Sequence, residues 1–344
     1  MADKILFITS NRLGDAVLSM GLLNYICEAY PERKITVACG PLATSLFEGC
    51  PQVESIISLK KEKRSGHWVK LWKQAVTTPW AMVIDLRNSA VSRLLMAKER
   101  YIYGPSISKD QHKVEQNAEV MKLNEVPSPR LWPSAEQAKK AEEFIPKKEN
   151  KKNQEVLAVG PAANWIGKTW PADRFIEVIE TITAEGGLLP NARVAVFAAP
   201  GEEEVSYQVL KAVPEERQID MIAKADPGTV AATIARCDLY IGNDSGLMHC
   251  AAAAGIPTFG LFGPSYPKWY APWGEHTDYA RTPETFDELI DFDGYDPTTL
   301  KHTLMKSLTT EKVLSTLTEF WQGLEQSTQP AEKSDEDEWA EEVE

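Results

Sequence analysis

Residues 238–250 read Asp238-Leu239-Tyr240-Ile241-Gly242-Asn243-Asp244-Ser245-Gly246-Leu247-Met248-His249-Cys250. The apolar run at 238–241 has the length of a buried strand. It is followed by a polar loop, and the loop opens onto an alanine-rich segment at 247–254 that reads as a helix. In open α/β sheets the loops at the carboxyl ends of strands carry the ligand. Ser245, Gly246 and Leu247 offer free N–H groups at the helix start, where peptide dipoles favour an anion. Gly246 has no side chain to hold a diphosphate away. His249 lies one turn in, either as a ligand contact or as a structural residue with its needs met by the protein. Ser245 lacks the G-x-S-x-G setting of a hydrolase nucleophile.

Outward from this block, strand-like and helix-like segments alternate along the whole chain. Strand candidates fall at 4–9, 34–39, 53–59, 81–86 and 101–103, then at 155–160, 192–199, 218–222 and 258–262. Helical patterns fall at 15–30, where Leu18, Leu22, Tyr25, Ile26 and Ala29 share a face, and at 172–185, 202–213 and 227–237. A last helix opens at Thr309-Thr310-Glu311, with Val313, Leu317, Phe320 and Leu324 on one side. This alternation predicts parallel βαβ units. Residues 146–154 (PKKENKKNQ) are polar and unpatterned, as a linker would be. We expect domains at 1–150 and 151–326, with a cleft between them, and a disordered tail at 327–344.

Composition narrows the function. Of a net charge of −13, residues 331–344 contribute eight acids against one lysine, leaving −6 for the rest. A nucleic-acid-binding protein would be strongly basic, and this chain is not. No apolar run approaches the ~18 residues of a membrane span. The start, Met1-Ala2-Asp3-Lys4, runs directly into a strand without the pattern of a signal peptide. Five cysteines, odd in number and without C-x-x-C spacing, argue against a disulfide framework or a cysteine zinc site. The expectation is a soluble cytosolic protein.

Two more loops at strand ends could carry chemistry. Ser10-Asn11-Arg12-Leu13-Gly14-Asp15 joins the first strand to the first helix; Asp15 there is either a helix cap or a functional carboxylate. The dinucleotide fingerprint G-x-G-x-x-G is absent from it. Gly160 to Pro171 contains Gly167-Lys168-Thr169, but position 162 is Ala, so the Walker A spacing fails. Lys168 is then either a solvated lysine or a cation beside a phosphate. Asp291-Phe292-Asp293 has a D-x-D form, which is common by chance.

Five blocks in order resemble glycosyltransferase family 9, the heptosyltransferases. They are Arg12-Leu13-Gly14-Asp15, His112-Lys113-Val114-Glu115-Gln116-Asn117, Gly167-Lys168-Thr169-Trp170-Pro171, Phe197-Ala198-Ala199-Pro200-Gly201-Glu202, and Asn243 to His249 with Gly260-Leu261-Phe262-Gly263-Pro264-Ser265. The resemblance spans about residues 3–325 and implies an α/β GT-B fold: two Rossmann-like domains facing across a cleft, the first binding acceptor and the second nucleotide-sugar. It further implies an inverting, metal-independent glycosyl transfer with no cofactor, from an ADP-linked heptose to a lipid-linked saccharide of the lipopolysaccharide core. Asp15 would be the catalytic base. Lys168 would contact the donor phosphates, Glu202 the ribose, and Asp244, Ser245, Gly246, Leu247 and His249 the diphosphate and sugar. Arg12 would lie on the acceptor side. A nucleotide-sugar epimerase of the same plan, or a non-catalytic binding protein, would share much of this.

One stretch stands apart. Lys60, Lys61, Lys63, Arg64, Lys70 and Lys73 face Glu62 alone, interleaved with Trp68, Leu71 and Trp72. It reads either as a solvated loop before a core-facing helix or as a contact to the inner face of the cytoplasmic membrane and an anionic acceptor, with the tryptophans at the interface.

Overall fold

The computed structural model describes residues 3–146 and 154–328. It contains two all-parallel sheets. The first is built from β1 (Lys4–Ile8), β2 (Lys34–Cys39), β3 (Val53–Ser58), β4 (Trp80–Asp85) and β5 (Ala97–Ile102), in the order β3-β2-β1-β4-β5. The second uses β6 (Val156–Gly160), β7 (Arg193–Ala198), β8 (Gln218–Ile222), β9 (Leu239–Asn243), β10 (Thr258–Phe262) and β11 (Thr277–Arg281), in the order β11-β10-β9-β6-β7-β8. Strand order reverses between β1 and β4 and again between β6 and β9. Such reversals open a crevice at the carboxyl ends of the strands. The loops after β1, β6 and β9 are the three that sequence reading singled out.

Every residue of β4, β6, β9 and β10 is buried, as expected for parallel strands covered on both faces. Ile5, Phe7 and Val37 of the first sheet share one apolar core with Ala158, Phe197 and Tyr240 of the second. The opposite faces form separate cores, Leu6, Ile8 and Val83 in one and Leu157, Val159 and Val196 in the other.

Some expectations change. The segment 15–30 is not one helix but two, Leu13–Leu18 and Met20–Ala29. The break falls at Ser19, whose hydroxyl donates to the Ala16 carbonyl at 2.7 Å and meets the Thr9 hydroxyl at 2.7 Å. β5 starts four residues earlier than its tyrosine-rich end suggests. β11 carries only one fully buried residue and so lacked an apolar signal. The final helix, Thr310–Thr328, runs past the point where the tail was expected to begin. The rest of that tail, and most of the expected linker (147–153), lie outside the described residues.

Candidate active site

Asp15 occupies the first turn of the Leu13–Leu18 helix, at the carboxyl end of β1. It is not the cap: Arg12 holds that position and makes no side-chain capping bond. Among the described residues the Asp15 carboxylate has one hydrogen bond, from the Ser10 hydroxyl at 3.3 Å. A carboxylate at a helix start that caps nothing is left to act on something else.

Across the crevice, the Lys168 ammonium donates to Asp244 Oδ2 at 2.5 Å. The Asp244 side chain is 6% exposed, so its charge depends on that partner. The loop carrying Lys168 is fixed by buried Asn243. Its Nδ2 donates to the Pro161 carbonyl at 2.8 Å, and its Oδ1 accepts from the Trp170 amide at 3.1 Å. Trp170 in turn donates its indole N–H to Leu308 O at 2.9 Å, so the loop is anchored at both ends.

Ser245 precedes the Gly246–Ala253 helix, and its buried hydroxyl has the buried Tyr240 hydroxyl beside it. Nδ1 of His249 and the hydroxyl of Ser265, which follows β10, are buried and unpartnered. Buried polar atoms are nearly always satisfied. Two of them, His249 Nδ1 and the Ser265 hydroxyl, are unsatisfied here beside a lysine and the N–H groups of a helix start, an arrangement that can receive a polar ligand. His249 lies 3.9 Å from Asp244 Oδ1 through Nε2. Burial holds its pKa down to about 4, with the Asp244 charge partly opposing, so it is a neutral imidazole near pH 7. Glu202, at the carboxyl end of β7, accepts from the Ala199 amide at 3.0 Å, and burial raises its pKa.

Four groups that sequence reasoning gave no role lie near Asp15. Lys113 is half-buried. Its pKa is lowered by burial, with the Asp15 charge partly offsetting that, and its ammonium donates to Gln116 Oε1 at 2.7 Å. The Tyr103 hydroxyl donates to the same oxygen at 2.6 Å, and Gln116 Nε2 donates to Gln111 O at 2.8 Å. The Gln116 amide oxygen thus accepts two hydrogen bonds and fixes Lys113 and Tyr103. Tyr270 is pushed up to about 12, mainly by burial, with the charges of Asp15 and Asp244 adding to it. Both carboxylates therefore act on one phenol, which lies between the two halves of the site. The signal for Lys113 and Gln116 was their i, i+3 spacing, which places both on one helix face.

Arg12 is exposed at the cleft edge. Lys60, Lys61, Lys63 and Arg64 are exposed on the loop after β3, at the same edge of the sheet as Asp15. Of the apolar residues expected beside them, Leu71 is fully buried and Trp68 packs half-buried on the core; Trp72 alone of the three is exposed. The Gly66–Ala75 helix needs its 68–71–75 stripe to cover the sheet. Asp291 and Asp293 are exposed, and among the described residues no three His, Cys, Asp or Glu side chains are grouped to hold a metal. No described helix is long and apolar enough to cross a membrane.

The family model for glycosyltransferase family 9 (heptosyltransferase) matches residues 87–287, which contain Lys113, Lys168, Glu202 and the Asp244–His249 block. Lipooligosaccharide heptosyltransferase 2 of Haemophilus influenzae is 24% identical over 353 aligned residues, covering 92% of this chain and 99% of its own. The crystal structure of a family 9 glycosyl transferase from Veillonella parvula superposes with a TM-score of 0.74 at 20% identity, covering 93% of this chain and 97% of that one. E. coli ADP-heptose LPS heptosyltransferase II superposes at 0.69 and 19% identity, covering 94% and 99%. The two facing sheets are those of a GT-B fold, and the region matched by the family model contains the Lys168 and Asp244–His249 loops on one side of the crevice. The chain is a glycosyltransferase and belongs to family 9, the heptosyltransferases.

Proposed function

We propose that the protein transfers a heptose from ADP-heptose to a lipid-linked saccharide acceptor at the inner face of the cytoplasmic membrane, inverting the anomeric centre by a single displacement. The observation that carries this reading is the pairing across the crevice. Asp15, a carboxylate that caps no helix, stands opposite a lysine, a helix start and two unsatisfied buried polar atoms, His249 Nδ1 and the Ser265 hydroxyl. Single displacement needs one base on the acceptor side and stabilisation of the leaving group on the donor side. Asp15 takes the proton from the acceptor hydroxyl as that oxygen attacks the anomeric carbon. The bond to the diphosphate breaks on the opposite face.

Negative charge then grows on the departing nucleoside diphosphate. Lys168 and the N–H groups of Ser245, Gly246 and Leu247 meet it with a full charge and a helix dipole, in the role a divalent ion would otherwise take. The Ser245 hydroxyl and neutral His249 are placed for the phosphate and sugar hydroxyls, and Glu202 for the ribose. Asp244 holds Lys168 until the diphosphate arrives. Lys113 and Arg12, with the Lys60, Lys61, Lys63 and Arg64 loop, present positive charge to an anionic acceptor. The ADP-heptose donor and lipopolysaccharide acceptor are those in the names of the relatives above.

The test is ADP release from ADP-heptose with and without a detergent-dispersed lipid-linked core acceptor. ADP is expected only when acceptor is present. Asp15→Asn should lower turnover by roughly 10²–10⁴ while ADP binding is unchanged. ADP release without acceptor, or near-normal turnover in Asp15→Asn, would overturn the reading.

A further inference from the structure

Four of the nine large apolar side chains left exposed among the described residues lie on two helical segments that pack together. Val69 and Trp72, on the Gly66–Ala75 helix, are 53% and 36% exposed. Leu94 and Met96, where the Val91–Leu94 helix leads into β5, are 66% and 62% exposed. The two helices pack against each other over a shared core that includes Leu71, Ala75, Val91 and Leu95. The four exposed side chains therefore lie on the outer surface of one layer. Sequence neighbours fill the core instead. Leu71 is buried between Val69 and Trp72, and Leu95, where the chain leaves the helix in an extended conformation, is buried between Leu94 and Met96.

The charge around them is equally one-sided. Residues 60–75 and 91–100 contain nine Lys and Arg against two acids, Glu62 and Glu99, in a chain of net charge −13. Glu62 is paired with Lys70, and Glu99 accepts from the Tyr101 hydroxyl at 2.9 Å. Apolar side chains ringed by cations match a bilayer of anionic lipid, where hydrocarbon lies just beneath a plane of phosphates. A second copy of the same face would instead set nine cations against nine.

We propose that this layer is a lipid-docking face. Val69, Trp72, Leu94 and Met96 enter the boundary between headgroups and acyl chains of an anionic leaflet, and the surrounding lysines and arginines lie along the phosphates. The proposal rests on the reading of a lipid-linked acceptor and deepens it. The Lys60–Arg64 loop leaves β3 at the carboxyl edge of the sheet, the edge that also carries Asp15. Leu94 and Met96 precede β5 and so lie at the opposite, amino edge, and docking through this face lays the strand direction of the first sheet along the lipid surface.

The test is co-sedimentation of the full chain with phosphatidylcholine vesicles, with and without phosphatidylglycerol, at low and high salt. The variants are Val69→Ser/Trp72→Ser/Leu94→Ser/Met96→Ser, the smaller Leu94→Ser/Met96→Ser, and Lys60→Ser/Lys61→Ser/Lys63→Ser/Arg64→Ser. Wild type should bind the anionic vesicles. The quadruple apolar variant should lose at least roughly tenfold in affinity, and the double variant part of that, with ADP binding retained as evidence of folding. Brominated lipid should quench wild-type fluorescence more than that of Trp72→Phe. Equal binding by wild type and both apolar variants would overturn the docking face while leaving the charge-based contact of the Lys60–Arg64 loop standing. If wild type binds no vesicle, both fall. Self-association of wild type that the apolar variants abolish, with vesicle binding unchanged, would assign the face to a second copy and overturn the proposal.

Discussion

Gly14 and His249 touch across the crevice. A methyl group on Gly14 would come within 2.8 Å of His249 Cδ2, and one on Gly246 would come within 2.8 Å of Leu13 Cδ2. Each of the two helix starts, one from each half of the chain, has a glycine where the other presses in. Their close approach holds Asp15, the next residue after Gly14, over the loops of Lys168 and Asp244.

Gly14→Ala should therefore move Asp15, the proposed base, without unfolding the protein. The His249 ring is buried and packed, so it cannot swing aside as the tip of a long side chain would. A displacement of the reacting groups by about 1 Å costs on the order of 10² in rate. We expect kcat to fall by roughly 10–100-fold, with the far-ultraviolet circular dichroism unchanged. Wild-type kcat would show that the helices separate freely.

The Lys168–Asp244 pair should reveal itself in stability as well as in binding. Lys168→Met leaves a buried carboxylate unpaired, a loss of about 3 kcal/mol. Adding Asp244→Asn removes that charge, so Lys168→Met/Asp244→Asn should unfold at a higher denaturant concentration than Lys168→Met alone. Both variants should bind ADP weakly. Equal midpoints for the single and double variants would contradict the pairing.

His249 links stability to acid. In the unfolded chain its imidazole takes a proton near pH 6.5, but in the folded protein only near pH 4. As pH falls through 6.5 the unfolded state binds the proton first, so stability present above that pH is lost between about 6.5 and 4. One histidine shifted this far accounts for roughly 3 kcal/mol. Buried His112 is shifted in the same direction, so the measurement is differential. The Tm of His249→Gln should fall less steeply across this window than that of wild type; parallel slopes would refute the assignment.

The proposed acceptor role of Lys113 can be separated from donor binding. Lys113→Met should raise the acceptor KM by about tenfold or more and leave the donor KM within twofold, while Lys113→Arg keeps most of the affinity. An equal rise in both constants would move Lys113 out of the acceptor side.

The strand–loop–helix alternation made the two-sheet fold legible, because buried parallel strands are apolar throughout and their bounding loops are polar. The same loops located Lys168 and Asp244, although nothing in the spacing foretold that they pair at 2.5 Å. The break at Ser19 escaped because the apolar stripe continues through it; one hydroxyl bonding to Thr9 and to Ala16 O overrides the pattern. Tyr103, Tyr270 and Asn243 were not legible as site residues. Their roles depend on partners 13 or more positions away, or on charges from the opposite half of the molecule. Trp68 and Leu71 were legible as part of an amphipathic helix, but periodicity does not say which stripe the sheet claims.

The helix Ala135–Phe144 precedes the second sheet in sequence, yet it packs on the Pro227–Ile234 helix of that half. Gln137 donates to Ser45 O at 2.8 Å, the Ser45 hydroxyl accepts from the Gly228 amide at 2.9 Å, and Arg236 reaches the Ile145 carbonyl. This helix is a hand held out by one half and gripped by the other. A protein severed between Pro146 and Gln154 would keep that handshake, so its two fragments, made as separate chains, carry the means to find each other and rebuild one crevice.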